Sequence, residues 1–194
     1  HEEWNNSPRM HVSLDGLPFR ALYTERVGNR GTSAPNDTLL LMYASHNKRQ
    51  QLVGIAGRAR YIDREDDPQL QRSIKQQVQT ENLWREAWKV PLVQRRFETQ
   101  KNFQTHWAEI GELNPNWICP EESFFWLEEP LDLHPSTITG KSKLLTMFSS
   151  FTEIPAERAA YLLDSIPINQ RNAAWRNIRE SLEFAATMDD IKNV

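Results

Sequence analysis

Hydrophobic positions in the first third of the chain form short runs that polar turns separate. Residues 12–23 contain the pair Asp15-Gly16 between two apolar runs, which predicts a tight β-hairpin. A loop rich in Gly, Asn, Ser and Pro follows at 26–37. The run at 39–44 (LLLMYA) is apolar throughout and short enough for a buried strand. This part of the chain is therefore predicted to form strands.

A second hairpin is predicted around the polar turn at 45–51. Its second strand is 52–62 (LVGIAGRARYI), which is first apolar and then alternates between polar and apolar positions. Glycines inside a strand indicate either a bulge or the close approach of another backbone or a ligand. Gly54 and Gly57 therefore predict one of these features in this strand.

The hydrophobic period changes to that of a helix in the middle of the chain. Asp67 and Pro68 have the residue types of a helix start, and the periodic stretch extends towards Trp84 or Trp88 before Pro91 ends it. A second helix is predicted over 97–110. The apolar stripes of the two helices are Leu70, Ile74 and Val78, and Phe103, Trp107 and Ile110.

The last third of the chain returns to a strand and then ends in helices. Residues 123–133 have strand character, and Pro130 favours a bulge or an edge position there. Helices are predicted over 155–164 and 170–188. The stripe of the last helix is Trp175, Ile178, Leu182 and Ala185. The fold class is therefore α+β: an N-terminal sheet, an inserted helical pair, a returning strand and a C-terminal helical pair.

Composition indicates whether the chain is a folded, a disordered or a membrane protein. The chain has 194 residues, of which 39% are hydrophobic, and its seven Trp and eight Phe supply large apolar surfaces for a core. A disordered chain would be poor in aromatic residues. No stretch approaches the roughly 18 apolar residues of a membrane span, and the first residues lack the pattern of a signal peptide. We therefore expect a folded cytoplasmic protein without a membrane partner.

Charge is distributed unevenly along the chain. Residues 1–62 contain eight Lys and Arg against five Asp and Glu, whereas 111–194 contain seven against thirteen. A basic N-terminal part on an acidic chain predicts a local surface for nucleic acid. Chance asymmetry on a solvated surface explains the same numbers equally well.

Motifs for catalysis or metal binding are absent from the sequence. The five histidines show no HExxH spacing, no GxSxG motif occurs, and the single Cys119 has no adjacent basic residue. The pairs Glu121-Glu122 and Glu128-Glu129 consist of neighbours, which on a strand point to opposite faces. We therefore predict a binding domain rather than an enzyme, with no cofactor and no metal.

Aromatic residues are concentrated between positions 84 and 126. Tryptophans at helical spacing usually pack a helix onto a sheet, so most of them are expected in the core. An extruded base or a methylated group, however, is held between aromatic planes with a few polar groups at its edge. We therefore expect at least one of these tryptophans, Trp117 or Trp126, to line a pocket.

The predicted second hairpin resembles a known family. Residues 36–45 (NDTLLLMYAS) and 52–63 (LVGIAGRARYID) are similar to the central hairpin of EVE domains, which belong with YTH and ASCH domains to the PUA-like proteins. The resemblance covers about 28 of the 194 residues. It implies a PUA-like β-barrel that binds modified, above all methylated, bases in nucleic acid, DNA in preference to RNA. It also implies a role as the recognition module of a modification-dependent restriction system.

The resemblance assigns candidate site residues. Tyr43 and Ser45 match the Tyr and Ser at the end of the family's strand, Ala44 replaces its His, and His46 is displaced by one position. The expected base pocket is Asn29, Tyr43, Ser45, His46, Trp117 and Trp126. The expected phosphate-binding residues are Arg26, Arg30, Lys48, Arg49, Arg58 and Arg60.

Two alternative functions are compatible with the predicted domain organisation. Residues 1–10 form an N-terminal arm, 11–150 an EVE-like domain with its helical insertion at about 67–110, and 151–194 a C-terminal helical subdomain. The acidic last third, with Trp175, Ile178 and Leu182 exposed, would instead suit a protein-interaction or oligomerisation module. An ASCH-like nuclease would need Glu25, Tyr43 and Lys48 to converge. A protein partner or a fused effector domain is compatible with each of these functions.

Overall fold

The computed structural model describes residues 2–24, 37–46, 49–62, 67–110, 114–140, 142 and 154–192. For residues 2, 3, 46, 110 and 184–192 it describes only the backbone. The chain is mixed α and β, with an open antiparallel sheet of six strands. The predicted closed barrel is not formed by the described residues, since no pairing joins the third strand to the first.

The sheet is organised around one long strand. Its strands are β1 (His11–Leu14), β2 (Leu17–Leu22), β3 (Thr38–His46), β4 (Arg49–Tyr61), β5 (Trp117–Pro120) and β6 (Phe124–Leu133). The spatial order is β1-β2-β5-β4-β3, and β6 pairs with the first half of β4 on the side opposite β3. Strand β4 therefore touches three neighbours and connects the two halves of the sheet.

Seven α-helices occur in the described parts of the chain. They are α1 (Pro68–Val78), α2 (Leu83–Ala87), α3 (Pro91–Phe97), α4 (Gln100–Ile110), α5 (Pro135–Thr139), α6 (Ala156–Ser165) and α7 (Ala173–Lys192). Single turns of 3₁₀-helix lie at Glu2–Asn6, Pro8–Met10, Thr80–Asn82, Glu121–Ser123 and Ile168–Gln170. Within the described residues, every helix falls short of the length and apolar character that crossing a bilayer requires.

Both predicted hairpins are confirmed. Asp15 and Gly16 take the left-handed conformation, with φ of 51° and 78°, and so form the tight turn between β1 and β2. The second turn is shorter than predicted, because His46 already pairs with Arg49. Within the polar stretch at 45–51, the described residues 45, 46 and 49–51 are therefore strand.

The predicted pair of inserted helices is wrong in number. The first helix starts as expected, since the Asp67 carboxylate accepts a hydrogen bond of 3.1 Å from the Leu70 amide. It stops at Val78, because Gln79 turns into the left-handed region with φ of 56°. Pro91 begins α3 instead of ending a longer helix. Four helices therefore occupy the segment 67–110.

Three apolar cores fill the molecule. The first core lies under α1, α2 and α4 and contains Met10, Val12, Ala21, Ile62, Ile74, Val78, Leu83, Phe103, Trp107 and Ile118. The second core lies under α5, α6 and α7 and contains Leu52, Ile55, Phe125, Leu127, Leu133, Ile138, Leu162, Leu163, Ile166 and Ile178. The central core occupies the opposite face of the sheet and contains Leu22, Ala56, Ala59, Trp117, Cys119 and Phe124.

Strand β4 contributes to the second and the central core, and it contains a bulge. Ala56 and Ala59 both lie in the central core, although strict alternation would place residues three apart on opposite faces. Arg58 between them has φ of 51°, which supplies the extra residue. A Cβ on the adjacent Gly57 would lie 3.1 Å from Cγ1 of Ile178, so this glycine lets α7 approach the strand. The predicted bulge is therefore confirmed, whereas the atoms that approach Gly54 and Gly57 belong to side chains and not to another backbone or a ligand.

Candidate nucleic-acid interface

A cleft of about 210 Å³ opens on the helix-covered side of the sheet, at the end of β4. It is lined by Phe19, Asp37, Arg58, Arg60, Ile118 and Pro120. Its floor is apolar, because Phe19 and Ile118 also pack in or against the first core. Two arginines and one aspartate form its polar rim. The cleft therefore combines an aromatic ring with charges of both signs.

Strand register brings these residues together from distant parts of the sequence. Phe19 of β2 lies opposite Pro120 of β5, and Ile118 of β5 lies opposite Arg60 of β4. Partners in register point to the same face of a sheet. Three adjacent strands thus present the ring, the apolar floor and one guanidinium group side by side. The second guanidinium group, that of Arg58, reaches the same cleft through the bulge in β4.

Arg58 is fixed by two side chains of the turn that precedes β6. Its Nη2 lies 2.5 Å from Oε1 of Glu122, and its Nε donates to Oγ of Ser123 at 3.3 Å. The side chain is still 45% exposed. Glu122 therefore orients this guanidinium group and also neutralises part of its charge. An anion in the cleft would have to compete with Glu122 for Arg58.

Arg60 and Asp37 are held less tightly. The Nη1 of Arg60 lies 3.9 Å from Oδ2 of Asp67, a carboxylate that also caps α1, and the Arg60 side chain is 44% exposed. Asp37 is exposed, has φ of 69° and forms no hydrogen bond or ion pair with another described residue. Both groups are therefore available to a ligand with little rearrangement.

The residues of the predicted base pocket are not brought together. Tyr43 packs against the second core, whereas Trp117 and Trp126 lie in or against the central core on the opposite face of the sheet. The indole Nε1 of Trp117 donates to Oγ1 of Thr24 at 3.0 Å, and the residue is only 3% exposed. Trp126 covers Gly54, where a Cβ would lie 2.6 Å from its Cε3. Both tryptophans thus serve as packing residues, and Ser45 is exposed at the far end of β3.

The predicted phosphate-binding residues are separated in the same way. Arg49 lies at the start of β4, where its guanidinium group pairs with the Asp132 carboxylate. Gln51 donates to the same carboxylate at 2.9 Å, and these two hydrogen bonds lower the pKa of Asp132. Among the members of this set that the structure describes, Arg58 and Arg60 reach the cleft and Arg49 does not. Asn29, Arg26, Arg30 and Lys48 lie outside the described residues, and the side chain of His46 is not described.

The sequence did not identify four of the residues that line the cleft: Phe19, Asp37, Ile118 and Pro120. The pattern predicts a strand around Phe19 but contains no signal that the four-residue strand β5 lies beside it. Only the alternation of Arg58 and Arg60 with Ala59 and Tyr61 indicated that two arginines share one surface of β4. The bulge modifies even that alternation.

Two described groups that could perform covalent or acid–base chemistry, the Cys119 thiol and the His11 imidazole, are buried or engaged in other contacts. Burial raises the pKa of the Cys119 thiol to about 12, so it is not a nucleophile in the folded chain. A guanidinium group only donates, so Nη2 of Arg20 donates to Nε2 of His11, at 2.5 Å, and Nδ1 of His11 faces Glu121 at 3.2 Å. No cluster of His, Cys, Asp and Glu suited to a metal occurs among the described residues.

Comparison with known proteins identified no similar protein. No family model, no curated protein and no solved structure matches the chain.

Proposed function

We propose that this protein binds nucleic acid through the cleft at the end of β4. The observation that carries the proposal is the juxtaposition of Arg58 and Arg60 with the ring of Phe19 in the apolar floor of the cleft. Guanidinium groups bind phosphate oxygens, and an aromatic face accepts a stacked base. The two requirements of a nucleotide, an anion site and a flat apolar surface, are thus met within one cleft.

The aspartate in the cleft gives the proposed site a further property. A carboxylate repels phosphate but accepts hydrogen bonds from exocyclic amino groups of bases. Asp37 therefore faces a base rather than the backbone of the ligand, while Arg58 and Arg60 face the backbone. Cytosine, adenine and guanine carry such an amino group and thymine does not, so probes rich in thymine should bind less tightly.

The size of the cleft favours binding over metabolism. Pockets that enclose small molecules typically have volumes of about 300–1,000 Å³. At about 210 Å³ this cleft is smaller and more suited to a short stretch of a long ligand. The engagement of His11 and the burial of Cys119 agree with a binding role.

The EVE-like resemblance of residues 36–63, which include Asp37, Arg58 and Arg60 of the cleft, also supports the proposal. A PUA-like barrel, a preference for DNA and for methylated bases, and a role in restriction all stay predictions of that resemblance. Tyr43 and Ser45 give no support to a base pocket, since they lie away from both tryptophans.

The test is fluorescence anisotropy with short duplexes and single strands at about 50 and about 200 mM salt. The probes contain cytosine that is unmodified, methylated or hydroxymethylated. We expect salt-dependent binding, and we expect Glu122→Gln to bind more tightly because it releases Arg58. The matched control is Glu129→Gln, which removes an exposed carboxylate outside the cleft. Failure of the wild-type protein to bind every probe would contradict the proposed function.

Two alternative functions receive less support. The apolar stripe that would mark an interaction helix is not exposed: Trp175 donates to the Leu163 carbonyl at 2.9 Å, and Ile178 is 2% exposed within the second core. For an ASCH-like nuclease, Tyr43 packs against that same core, and Glu25 and Lys48 lie outside the described residues. Neither alternative therefore gains a site from the structure.

A further inference from the structure

The large apolar side chains that the helical insertion exposes lie at α3. Leu92 is 69% exposed, and Val90, just before the helix, is 45% exposed. Helix α3 has no buried residue and packs against the first core through Val93 and Phe97, which lie one turn apart. The helix is therefore held on one side and carries an exposed apolar residue elsewhere on its surface. Exposed apolar side chains of this kind, where charged residues surround them, indicate an interaction surface.

We define the outer face of α3 as Pro91, Leu92, Arg95 and Arg96. Residues three and four positions apart are neighbours on the surface of a helix. Arg95 follows Leu92 by three positions and Pro91 by four, and Arg96 follows Leu92 by four. All four residues are exposed. Helical spacing thus places two apolar side chains and two guanidinium groups on one surface.

The charge of the outer face is not neutralised by its surroundings. Neither arginine forms an ion pair with another described residue, and α3 contains no Asp or Glu. Glu86, before the helix, pairs with Arg9 at 2.5 Å, and Glu98, after it, forms no ion pair with a described residue. The Cζ of Arg96 lies 5.3 Å from the centroid of the Phe97 ring, a contact that uses none of its N–H donors. Residues 85–101 contain five Lys and Arg against two Glu, so the face is basic as well as apolar.

We infer that the outer face of α3 is a wedge for base-paired DNA, with its apolar side chains entering the minor groove and its arginines binding the flanking phosphates. Proteins that enter the minor groove combine these residue types, because Leu or Pro side chains separate two stacked base pairs while basic side chains bind around them. Phosphate oxygens alone would leave Leu92 in water. A base step together with its phosphates covers both kinds of group on this face.

The inference rests on the proposed function and names the form of nucleic acid that the protein binds. A base of a duplex can stack on Phe19 in the cleft only after it has left the base stack, and a wedge that opens a base step lowers the cost of that movement. Phe19 packs against the first core, as Val93 and Phe97 of α3 do, so the cleft and α3 border the same core. The outer face shares no residue with the cleft, so each can be altered separately.

The test compares a DNA duplex of about 20 base pairs, roughly two helical turns, with its separate single strands. Fluorescence anisotropy gives the affinity, and energy transfer between dyes at the two ends of the duplex reports a kink. Leu92→Ser removes the wedge, and the double variant Arg95→Gln/Arg96→Gln removes the charges. The control for the first is Ile168→Ser, since Ile168 is 80% exposed outside the helical insertion. The control for the second is Arg176→Gln, which alters an exposed arginine that forms no ion pair with a described residue.

The wild-type protein is expected to kink the duplex and so to raise the energy transfer between its ends. Leu92→Ser weakens duplex binding roughly tenfold and abolishes the kink, because the burial of one Leu side chain is lost. Its single-strand affinity stays that of the wild type, since the cleft is unchanged. The double arginine variant reduces the slope of log duplex affinity against log salt by about 1.8, which is about 0.9 for each lost phosphate contact. Both controls bind and kink the duplex like the wild type, and circular dichroism verifies that every variant is folded.

Three outcomes would overturn this inference while the proposed function stands on single-strand binding. If Leu92→Ser binds and kinks the duplex as Ile168→Ser does, α3 is not a wedge. If Leu92→Ser loses as much affinity for single strands as for the duplex, the face does not recognise base-paired DNA. If a glutamate-rich peptide binds the wild type but not the double arginine variant, and the duplex stays straight, the face serves an acidic protein partner. Absence of binding to both the duplex and the single strands contradicts the proposed function and the wedge together.

Discussion

Arginines lie at both ends of β4, and their surroundings differ. At the start of the strand, Arg49 pairs with Asp132 on an exposed polar surface. At its end, Arg58 and Arg60 also have acidic partners, but they border a cleft with an aromatic floor. The two ends are roughly 35 Å apart along the strand. An arginine thus becomes a candidate ligand-binding group through the apolar surface beside it, and not through its charge alone.

The largest effect is expected from removing the packing that supports the cleft end. Trp117 lies opposite Tyr61, with ring centroids 5.2 Å apart, and is buried in the central core. Trp117→Ala should lower the free energy of unfolding by about 3–5 kcal/mol in urea denaturation. Tyr43 is partly exposed on β3, opposite Leu52 near the start of β4, and Tyr43→Ala should lower the free energy of unfolding less. If Trp117→Ala and Tyr43→Ala lower the free energy of unfolding equally, Trp117 does not support the cleft as described.

The next largest effect measures how much the Phe19 ring, as distinct from the arginines of the cleft, contributes to nucleic-acid affinity. Phe19→Leu keeps apolar volume but removes the stacking surface, so nucleic-acid affinity should fall by about 1–3 kcal/mol in anisotropy titrations. The free energy of unfolding should change by less than about 1.5 kcal/mol. Tyr43→Leu is the control with the same loss of aromatic character at the other end. If Tyr43→Leu loses as much nucleic-acid affinity as Phe19→Leu, binding is not specific to the end of β4, which would contradict the account.

A smaller effect distinguishes the arginines themselves. Arg60→Gln should weaken binding to all sequences alike and reduce the slope of log affinity against log salt by about 0.7–0.9, as loss of one phosphate contact does. Arg49→Gln should leave both quantities unchanged. The measurement is the same titration at several salt concentrations. If the salt dependence of binding changes in Arg49→Gln and not in Arg60→Gln, the phosphate contacts lie at the start of β4, which would contradict the proposed site.

The smallest effect concerns pH at the start of the strand. Hydrogen bonds from Arg49 and Gln51 lower the pKa of Asp132 from its ordinary value of 3.8. A lowered pKa contributes stability above that ordinary value and loses it as the pH falls through the folded-state pKa. Arg49→Gln should raise the pKa of Asp132, as a carboxyl NMR titration would show. Nucleic-acid affinity near neutral pH should not change with it.

Local sequence signals predicted much of the sheet. The Asp15-Gly16 turn, the apolar run of β3 and the glycines of β4 specify hairpins and a bulge through chain-local preferences. The helical insertion was less predictable. Gln79 ends α1 in a left-handed conformation although it is not a glycine, and Pro91 suits a helix start as well as a helix end.

The cleft was predictable only in part. The pattern of β4 identified Arg58 and Arg60, because they are local to one strand. Phe19 pairs with Pro120 across about 100 residues of sequence and Ile118 with Arg60 across about 60, and no local period encodes such pairing. The resemblance gave Tyr43 a place in a pocket but did not show that Tyr43 and Trp126 lie on opposite faces of the sheet.

The central claim is that nucleic acid binds at the end of β4 and not at its start. The most direct measurement is an NMR titration of the arginine Nε–Hε signals with a short cytosine-containing strand, assigned through the variants Arg49→Gln, Arg58→Gln and Arg60→Gln. The account predicts that the signals of Arg58 and Arg60 shift together and saturate at one concentration, while the signal of Arg49 stays in place. Movement of Arg49 alone, or of none of the three at saturating probe, would contradict it.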